Sequence, residues 1–472
     1  MGTRSLYTAN LGFIIDRKAE IHPKRIAITD LTKGETYSYH QLKERSDLCA
    51  CYLLAQGLKR GDTVSGLLAN RIECFDLMFA CAKVGGIFIP LNFRMSPREV
   101  NQILSKAKSP VLFYDGTFRE RIHEIDCRNR KVIDIDTTDL RTNIPEKPVY
   151  DYGKAEDPFV LIYTSGTSGE PKGAIQTHLN AFFKSVDSII DFGMTYNDVV
   201  LVTAPMFHVA GLNALTLPGL HVGGRLVLHG RFEAEQALQI IEDEQVTCFA
   251  VVPTILRMMA NAPSFPKRKF RSLRFAMAGG EFLEPELQQA FLEKGADILN
   301  TFGLSETTDG AIYQRPGRPP IEACIGNVGT HVDVKLMSSD FQEVPEGETG
   351  EIVVGGPTVS PGYWKDPRRT KETFRNGWVR TGDLAYKDKE GYFYTVGRQD
   401  EMIKSGAEKI APDEIERVIC SIPKVADAVV IGIPDERWGQ VPKAIVARKR
   451  GMELTEEEII TVCKRELASY KK

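Results

Sequence analysis

Short, uninterrupted apolar runs separated by helix-patterned stretches constrain this chain more than any other feature of its sequence. Such runs occupy 62–68, 86–91, 111–114, 199–202 and 249–253, and helical patterns such as Ala234 to Glu244 lie between them. A strand covered on both faces reads as a continuous apolar run, whereas one open to water alternates, so the pattern predicts mostly parallel strands flanked by helices. An α/β fold follows. At 472 residues the chain exceeds what one core usually holds, so more than one domain is expected. After about residue 325 the texture changes: Gly347, Gly350, Gly355, Gly356, Gly362 and Gly377 punctuate short strands and predict a β-rich subdomain over about 325–396. Beyond Gly397-Arg398-Gln399-Asp400 a compact α+β unit is expected. There Pro412 opens a helix with Ile415, Val418, Ile419 and Ile422 on one face. Later, Thr455 and Glu458 form a capping box flanked by a Leu454–Ile459 staple.

Charge and cysteine usage narrow the partners. Sixty basic against sixty-three acidic residues give a net charge of −3, which argues against a broad nucleic-acid surface; an anionic ligand must be met locally. The nine cysteines follow no disulfide or zinc spacing, so reduced thiols in a cytoplasmic setting are expected. No apolar segment follows Met1–Ser5 as a signal peptide requires, and no run reaches the length of a membrane span. Integral membrane contact is therefore not expected.

The run Leu161-Ile162-Tyr163-Thr164-Ser165-Gly166-Thr167-Ser168-Gly169-Glu170-Pro171-Lys172-Gly173 leads a buried-strand pattern into hydroxyls, glycines and a lysine. Glycines let backbone N–H groups converge on an anion, hydroxyls add donors, and Lys172 adds a mobile positive charge. The composition suits phosphate. The spacing is not that of the common P-loop, because Pro171 and Gly173 stand where that pattern needs Gly and Ser or Thr. A Ser/Gly linker is the competing reading, but linkers seldom follow such a strand or end on Pro-Lys-Gly.

Three further segments, Asn300-Thr301-Phe302-Gly303-Leu304-Ser305-Glu306-Thr307, Trp378-Val379-Arg380-Thr381-Gly382-Asp383-Leu384 and Gly397-Arg398-Gln399-Asp400-Glu401-Met402-Ile403-Lys404, follow that loop in order. Together the four resemble the adenylate-forming acyl-CoA synthetases, and the resemblance covers essentially the whole chain. Minor features agree, among them Thr36-Tyr37-Ser38-Tyr39 with Leu42, Gly85 to Asn92, Pro205-Met206-Phe207-His208 and Pro434 to Gly439. The resemblance implies a large N-terminal domain of layered α/β subdomains over 1–398, with the β-rich subdomain inside it. It also implies a small, mobile α+β domain over 399–472, hinged at Asp400.

It implies chemistry as well: a carboxylic acid is joined to ATP with release of pyrophosphate, and the acyl group then passes to a thiol such as CoA. Both reactants of the first step are anionic, so the site must neutralise charge. By resemblance, Thr164, Ser165, Gly166, Thr167, Ser168, Gly169 and Lys172 cradle phosphates, and Glu306 ligates Mg²⁺. Phe302 stacks on adenine, where most relatives carry Tyr, and Asn300 reads its amino edge. Gly279, Gly280, Glu281, Thr301, Gly303 and Ser305 complete the nucleotide site. Asp383 accepts from the ribose hydroxyls and Arg398 supports ribose and phosphate. His208, Val209, Gly211, Leu212, Ala278, Gly303 and Leu304 form the acyl wall, with no Arg or Lys standing out for a second carboxylate. Lys404, Ser405 and Gly406 meet CoA, Gly406 lining the pantetheine tunnel because a thin thiol arm passes closest to a residue without a side chain. Thr164, Lys172, His208 and Glu306 are the expected catalytic set.

One departure remains. Relatives continue past the segment matching Leu467 to Lys471 and end in a Gly-Lys motif whose lysine serves adenylation, and no such motif occurs here. The expectation is a trimmed version of a longer chain, with impaired adenylation as the alternative. The leading reading is an acid–CoA ligase for an apolar monocarboxylic acid. Loading of a carrier-protein phosphopantetheine, a luciferase-like oxidation and nucleotide binding without turnover stay open, as does assembly as a homodimer.

Overall fold

The structure, a computed structural model, describes residues 9–140, 150–165, 170–399, 401–405, 408–435 and 439–467. It divides into two compact units. One comprises the described residues of 1–322, 326–333 and 354–379, the other those of 323–325, 334–353 and 380–472.

The first unit is built on two sheets. In one, the strands Lys131–Asp134, Val111–Tyr114, Thr63–Leu67, Ile87–Pro90 and Pro158–Ser165 lie parallel in that order, and Pro171–Thr177 closes the edge antiparallel. In the other, Ile26–Asp30, Arg225–Leu228, Val199–Val202, Cys248–Val251, Phe275–Gly279 and Asp297–Leu304 run parallel, with Glu35–Ser38 and Asp309–Tyr313 antiparallel at the two sides. Every apolar run singled out in the sequence carries one of these strands, although the run 249–253 ends in the N-cap and first residue of the helix Pro253–Ala260. The central ones are wholly buried, which is why they do not alternate. Helices Leu11–Ile21, Tyr39–Ala55, Ile72–Val84, His178–Asp191 and Thr216–Val222 share one hydrophobic core with strands of both sheets.

Local signals set the helix ends. Ser38 with Gln41, Ser96 with Glu99 and Thr177 with Asn180 form capping boxes, each satisfying a first-turn N–H that the helix itself leaves unpaired. Gly85 ends Ile72–Val84 at φ 71°, where a side chain would be strained. The helix Ala234–Asp243 matches its predicted span.

The second unit takes Phe393–Arg398 and most of the strands Asp333–Met337, Gly350–Gly355 and Trp378–Lys387, which follow one another across a sheet, as the glycine-punctuated texture predicts. A separate four-stranded sheet has the order Glu408–Ile410, Ile403–Ser405, Gly439–Arg448, Val425–Asp435. Helices Pro412–Cys420 and Glu456–Glu466 supply Ile415, Ile419 and Cys463 to its core. The Thr455–Glu458 capping box forms, and Leu454 and Ile459 pack on that core. The first helix is shorter than its apolar spacing suggests: Ile422 is buried but lies past the helix end, because Pro423 disfavours helical backbone at the residue before it.

None of the nine cysteines is in a disulfide; seven are buried, Cys127 is half-buried and Cys420 is exposed. Among the described residues no helix is long and apolar enough to cross a membrane.

Candidate active site

The phosphate-suited run folds as the hairpin of Pro158–Ser165 and Pro171–Thr177, whose register sets Thr164 opposite Lys172 and Ser165 opposite Pro171. Gly166, Thr167, Ser168 and Gly169 lie outside the described residues. Gly173 faces Tyr163, and a Cβ there would fall 2.7 Å from the ring, so only glycine lets the buried ring cross the neighbouring strand. This fixes the strand that carries Lys172.

Lys172 reaches Glu306. Its Nζ lies 2.8 Å from Glu306 Oε1 and donates to the Tyr363 hydroxyl at 2.9 Å; that hydroxyl donates in turn to the same carboxylate oxygen at 2.5 Å. Glu306 and Tyr363 are buried, while Lys172 keeps 29 % of its side chain exposed. Burial disfavours the Lys172 charge, but the Glu306 carboxylate and the hydrogen bonds outweigh it, and the ammonium titrates above the ordinary lysine range. Burial first, then the Glu306 charge, pushes the Tyr363 hydroxyl up to about 12.

Glu306 is presented by a short 3₁₀ turn, Ser305–Thr307. Leu304 N–H donates to Thr307 Oγ1 at 2.9 Å, Thr307 Oγ1 donates to Asp309 O at 2.7 Å, and Thr308 follows in the left-handed region at φ 59°. Thr308 Oγ1 donates to Thr358 O, so the strained residue is anchored by its own hydroxyl.

The preceding strand carries Asn300, Thr301, Phe302 and Gly303. Gln288 Nε2 and the Asn300 N–H both donate to Gln314 Oε1, at 2.9 and 3.0 Å, pinning the backbone of Asn300. Gly279 pairs with Thr301, and a Cβ on it would come within 2.4 Å of Thr301 O; at Gly303 the corresponding distance to Asp309 O is 2.1 Å. Close backbone approach explains both glycines. Gly280 has φ 85°, and Glu281 is engaged by Thr254 and Arg257.

Of the expected acyl-wall residues, Leu212 and Ala278 are buried in the core and Val209 and Leu304 are half-buried. A π-helical turn, Ala210–Ala214, holds Gly211 where a Cβ would meet Pro205 O at 2.2 Å. His208 is exposed at one side with its ring 4.6 Å from that of Phe207; packing against its neighbours, and then the Arg94 charge, lower its pKa. Sequence reasoning did not single out Lys184. Its buried Nζ donates to Gly310 O, on the residue paired with Gly303, at 2.9 Å, and lies 3.9 Å from Asp309 Oδ2. Burial lowers its pKa, against the pull of Asp309.

In the second unit, Asp383 and Arg398 are cross-strand partners, with Arg398 Nη1 donating to Asp383 Oδ1 at 3.2 Å. Gly382, at φ 77°, gives its N–H to Glu351 Oε1 and its carbonyl to Gln399. Lys404 pairs with Lys409 and Ser405 with Glu408 in a hairpin; Asp400 and Gly406 lie outside the described residues. Tyr363 was also missed by sequence reasoning, and its only local signal is its place in the segment Ser360-Pro361-Gly362-Tyr363-Trp364.

Among the described residues no three His, Cys, Asp or Glu side chains converge as a metal cluster. Glu306 nonetheless suits a magnesium ion shared with phosphates, because both of its hydrogen bonds fall on Oε1 and Oε2 has no partner among the described residues.

Known proteins resemble this chain over nearly its whole length. A feruloyl-CoA synthase of Amycolatopsis is 34 % identical over 458 residues, spanning 96 % of this chain and 92 % of its own. The o-succinylbenzoate CoA synthetase of Bacillus subtilis, solved with its acyl-adenylate intermediate, superposes with a TM-score of 0.88 at 32 % identity, covering 97 % of this chain and 92 % of that one. The same enzyme solved with ATP and magnesium gives 0.87 at 32 % identity, covering 97 % and 94 %. The AMP-binding enzyme family matches residues 15–364, and the AMP-binding enzyme C-terminal domain matches 414–472. With three-quarters of its length inside the first of these, the chain belongs to the AMP-binding enzyme family.

Proposed function

We propose that this protein is an AMP-forming acid–CoA ligase acting on an apolar monocarboxylic acid, aryl, alicyclic or medium-to-long aliphatic. The observation that carries the reading is the Lys172–Glu306 pair, which joins a phosphate-suited cation to a magnesium-suited carboxylate across 134 residues of sequence.

Lys172, Thr164 and the hairpin backbone hold the β- and γ-phosphates. Magnesium, held by Glu306 and phosphate oxygens, would screen the triphosphate charge that otherwise repels a carboxylate. Phe302 takes the adenine face and Asn300 its amino edge, which orients the nucleotide for in-line attack at the α-phosphorus; Asp383 is the group suited to the ribose hydroxyls. A carboxylate oxygen of the acid forms a bond to that phosphorus as the bond to pyrophosphate breaks. The CoA sulfur, having released its proton to water, then attacks the acyl carbon, and AMP leaves with the electron pair of the broken C–O bond. Lys404, Ser405 and Gly406 serve that second step, with the change between steps hinged at Asp400 between 1–398 and 399–472. The small and apolar Val209, Gly211, Leu212, Ala278 and Gly303 favour an uncharged acyl body, and Lys184, already committed to Gly310 and Asp309, is not spare for a second carboxylate.

The reading is tested by screening aryl, alicyclic and aliphatic acids with ATP, Mg²⁺ and CoA for AMP and acyl-CoA. At least one apolar acid should give both products in equal amounts. Absence of AMP and of pyrophosphate exchange with every acid would overturn it, and acyl-adenylate that CoA never consumes would favour a carrier-protein acceptor.

A further inference from the structure

We propose that Tyr363 is a positioning residue that sets Lys172 and Glu306 for magnesium-bound nucleotide, an inference that rests on the adenylation reading above. The Tyr363 hydroxyl has one donor and accepts from Lys172 while donating to Glu306, so both ends of the ion pair are read by one oxygen. The ring adds a second hold, with Lys172 Nζ 4.9 Å from its centroid.

The backbone around Tyr363 is tied to both partners. Ser360 N–H donates to Glu306 O at 2.8 Å, Ile175 N–H to Gly362 O at 3.0 Å, and Trp364 N–H to Gly173 O at 2.8 Å, next to Lys172. Tyr363 itself bridges to Ala174, and its N–H donates to Thr370 Oγ1. Gly362 has φ 144° and would press a Cβ to 2.5 Å from Thr370, so the approach to Tyr363 admits no other residue without a shift. The hydroxyl is thus delivered by a segment stitched to the lysine strand and to the glutamate turn at once.

The hydrogen bonds also direct the carboxylate. Lys172 and Tyr363 both engage Oε1, which leaves Oε2 for a cation. When nucleotide draws Lys172 away, the Tyr363 bond still holds Glu306 in that orientation. Without the hydroxyl, the carboxylate can rotate to chelate the ammonium with both oxygens, and magnesium must compete with the lysine.

The test is Tyr363→Phe in the full chain, which keeps the ring and removes one oxygen. Calorimetric titration with ATP and Mg²⁺ should show about tenfold weaker binding, as loss of a hydrogen bond to a charged group implies. The magnesium concentration for half-maximal adenylate formation should rise, while thioester formation from supplied acyl-adenylate stays within about twofold, a split that general unfolding would not give. In a Lys172→Met background the same change should cost less, since the two residues act as one unit. Unchanged magnesium dependence and nucleotide affinity, or full additivity with Lys172→Met, would overturn the proposal. A wild-type protein that binds Mg²⁺–ATP but forms no adenylate with any acid would count against the functional reading instead, and the calorimetry would still report on Tyr363.

Discussion

Position 173 has no room for a methyl group. Its missing Cβ would lie 2.7 Å from the Tyr163 ring, and that ring is 4 % exposed, so it has little space to retreat. Gly173→Ala is expected to lower stability by about 1–3 kcal/mol in denaturant titration, the usual range for overpacking a filled site. It should also slow adenylate formation, because the strand that shifts carries Lys172. An unchanged midpoint with full activity would show that the ring yields freely. At this scale the sequence was informative where a residue's role is written in its own neighbourhood. Lys172 and Glu306 each sit in a short motif whose composition draws attention to them, and the fold brings the two side chains together. Tyr363 and Lys184 were not singled out, since each matters through partners more than fifty residues away that only the folded chain brings near.

Among elements, the helix His178–Asp191 opens on a fully enclosed histidine. His178 is 2 % exposed, lies 3.0 Å from Asn10 Nδ2, and burial depresses its pKa from 6.5 to about 3. Above pH 6.5 the imidazole is neutral in both folded and unfolded chains, and folding stability is independent of it. As pH falls below that value the unfolded chain takes up a proton that the folded chain refuses, so stability is lost by up to about 1.4 kcal/mol per pH unit until near pH 3. Stability measured by urea titration should therefore fall less steeply on acidification in His178→Gln than in the parent; equal slopes would show that His178 becomes charged within the fold. Buried parallel strands were the most legible elements, because a strand covered on both faces leaves a continuous apolar run. Helix ends were less so. Ile422 keeps the helical spacing of Ile415 and Ile419, yet Pro423 stops the backbone before it, and a turn buries the side chain instead.

For the whole molecule, the reading above assigns the two chemical steps to different parts of the chain, which makes them separable. Gly406→Val should cut thioester formation at least about tenfold by crowding the thiol path, while pyrophosphate exchange with ATP and acid persists. Equal loss of both steps in a folded variant would place Gly406 outside that path. Sequence order alone predicted an α/β body, a β-rich stretch and a final α+β unit. It could not tell which strands pair in parallel, since the parallel neighbour of Ile26–Asp30 is Arg225–Leu228, almost two hundred residues on. The distribution of thiols has a practical corollary. With seven cysteines buried, one half-buried and Cys420 exposed at the last position of the helix Pro412–Cys420, a maleimide dye will react there first. The native chain thus carries its own attachment point for a fluorophore in the second unit, and changes in that dye's environment can be followed through turnover without altering a residue.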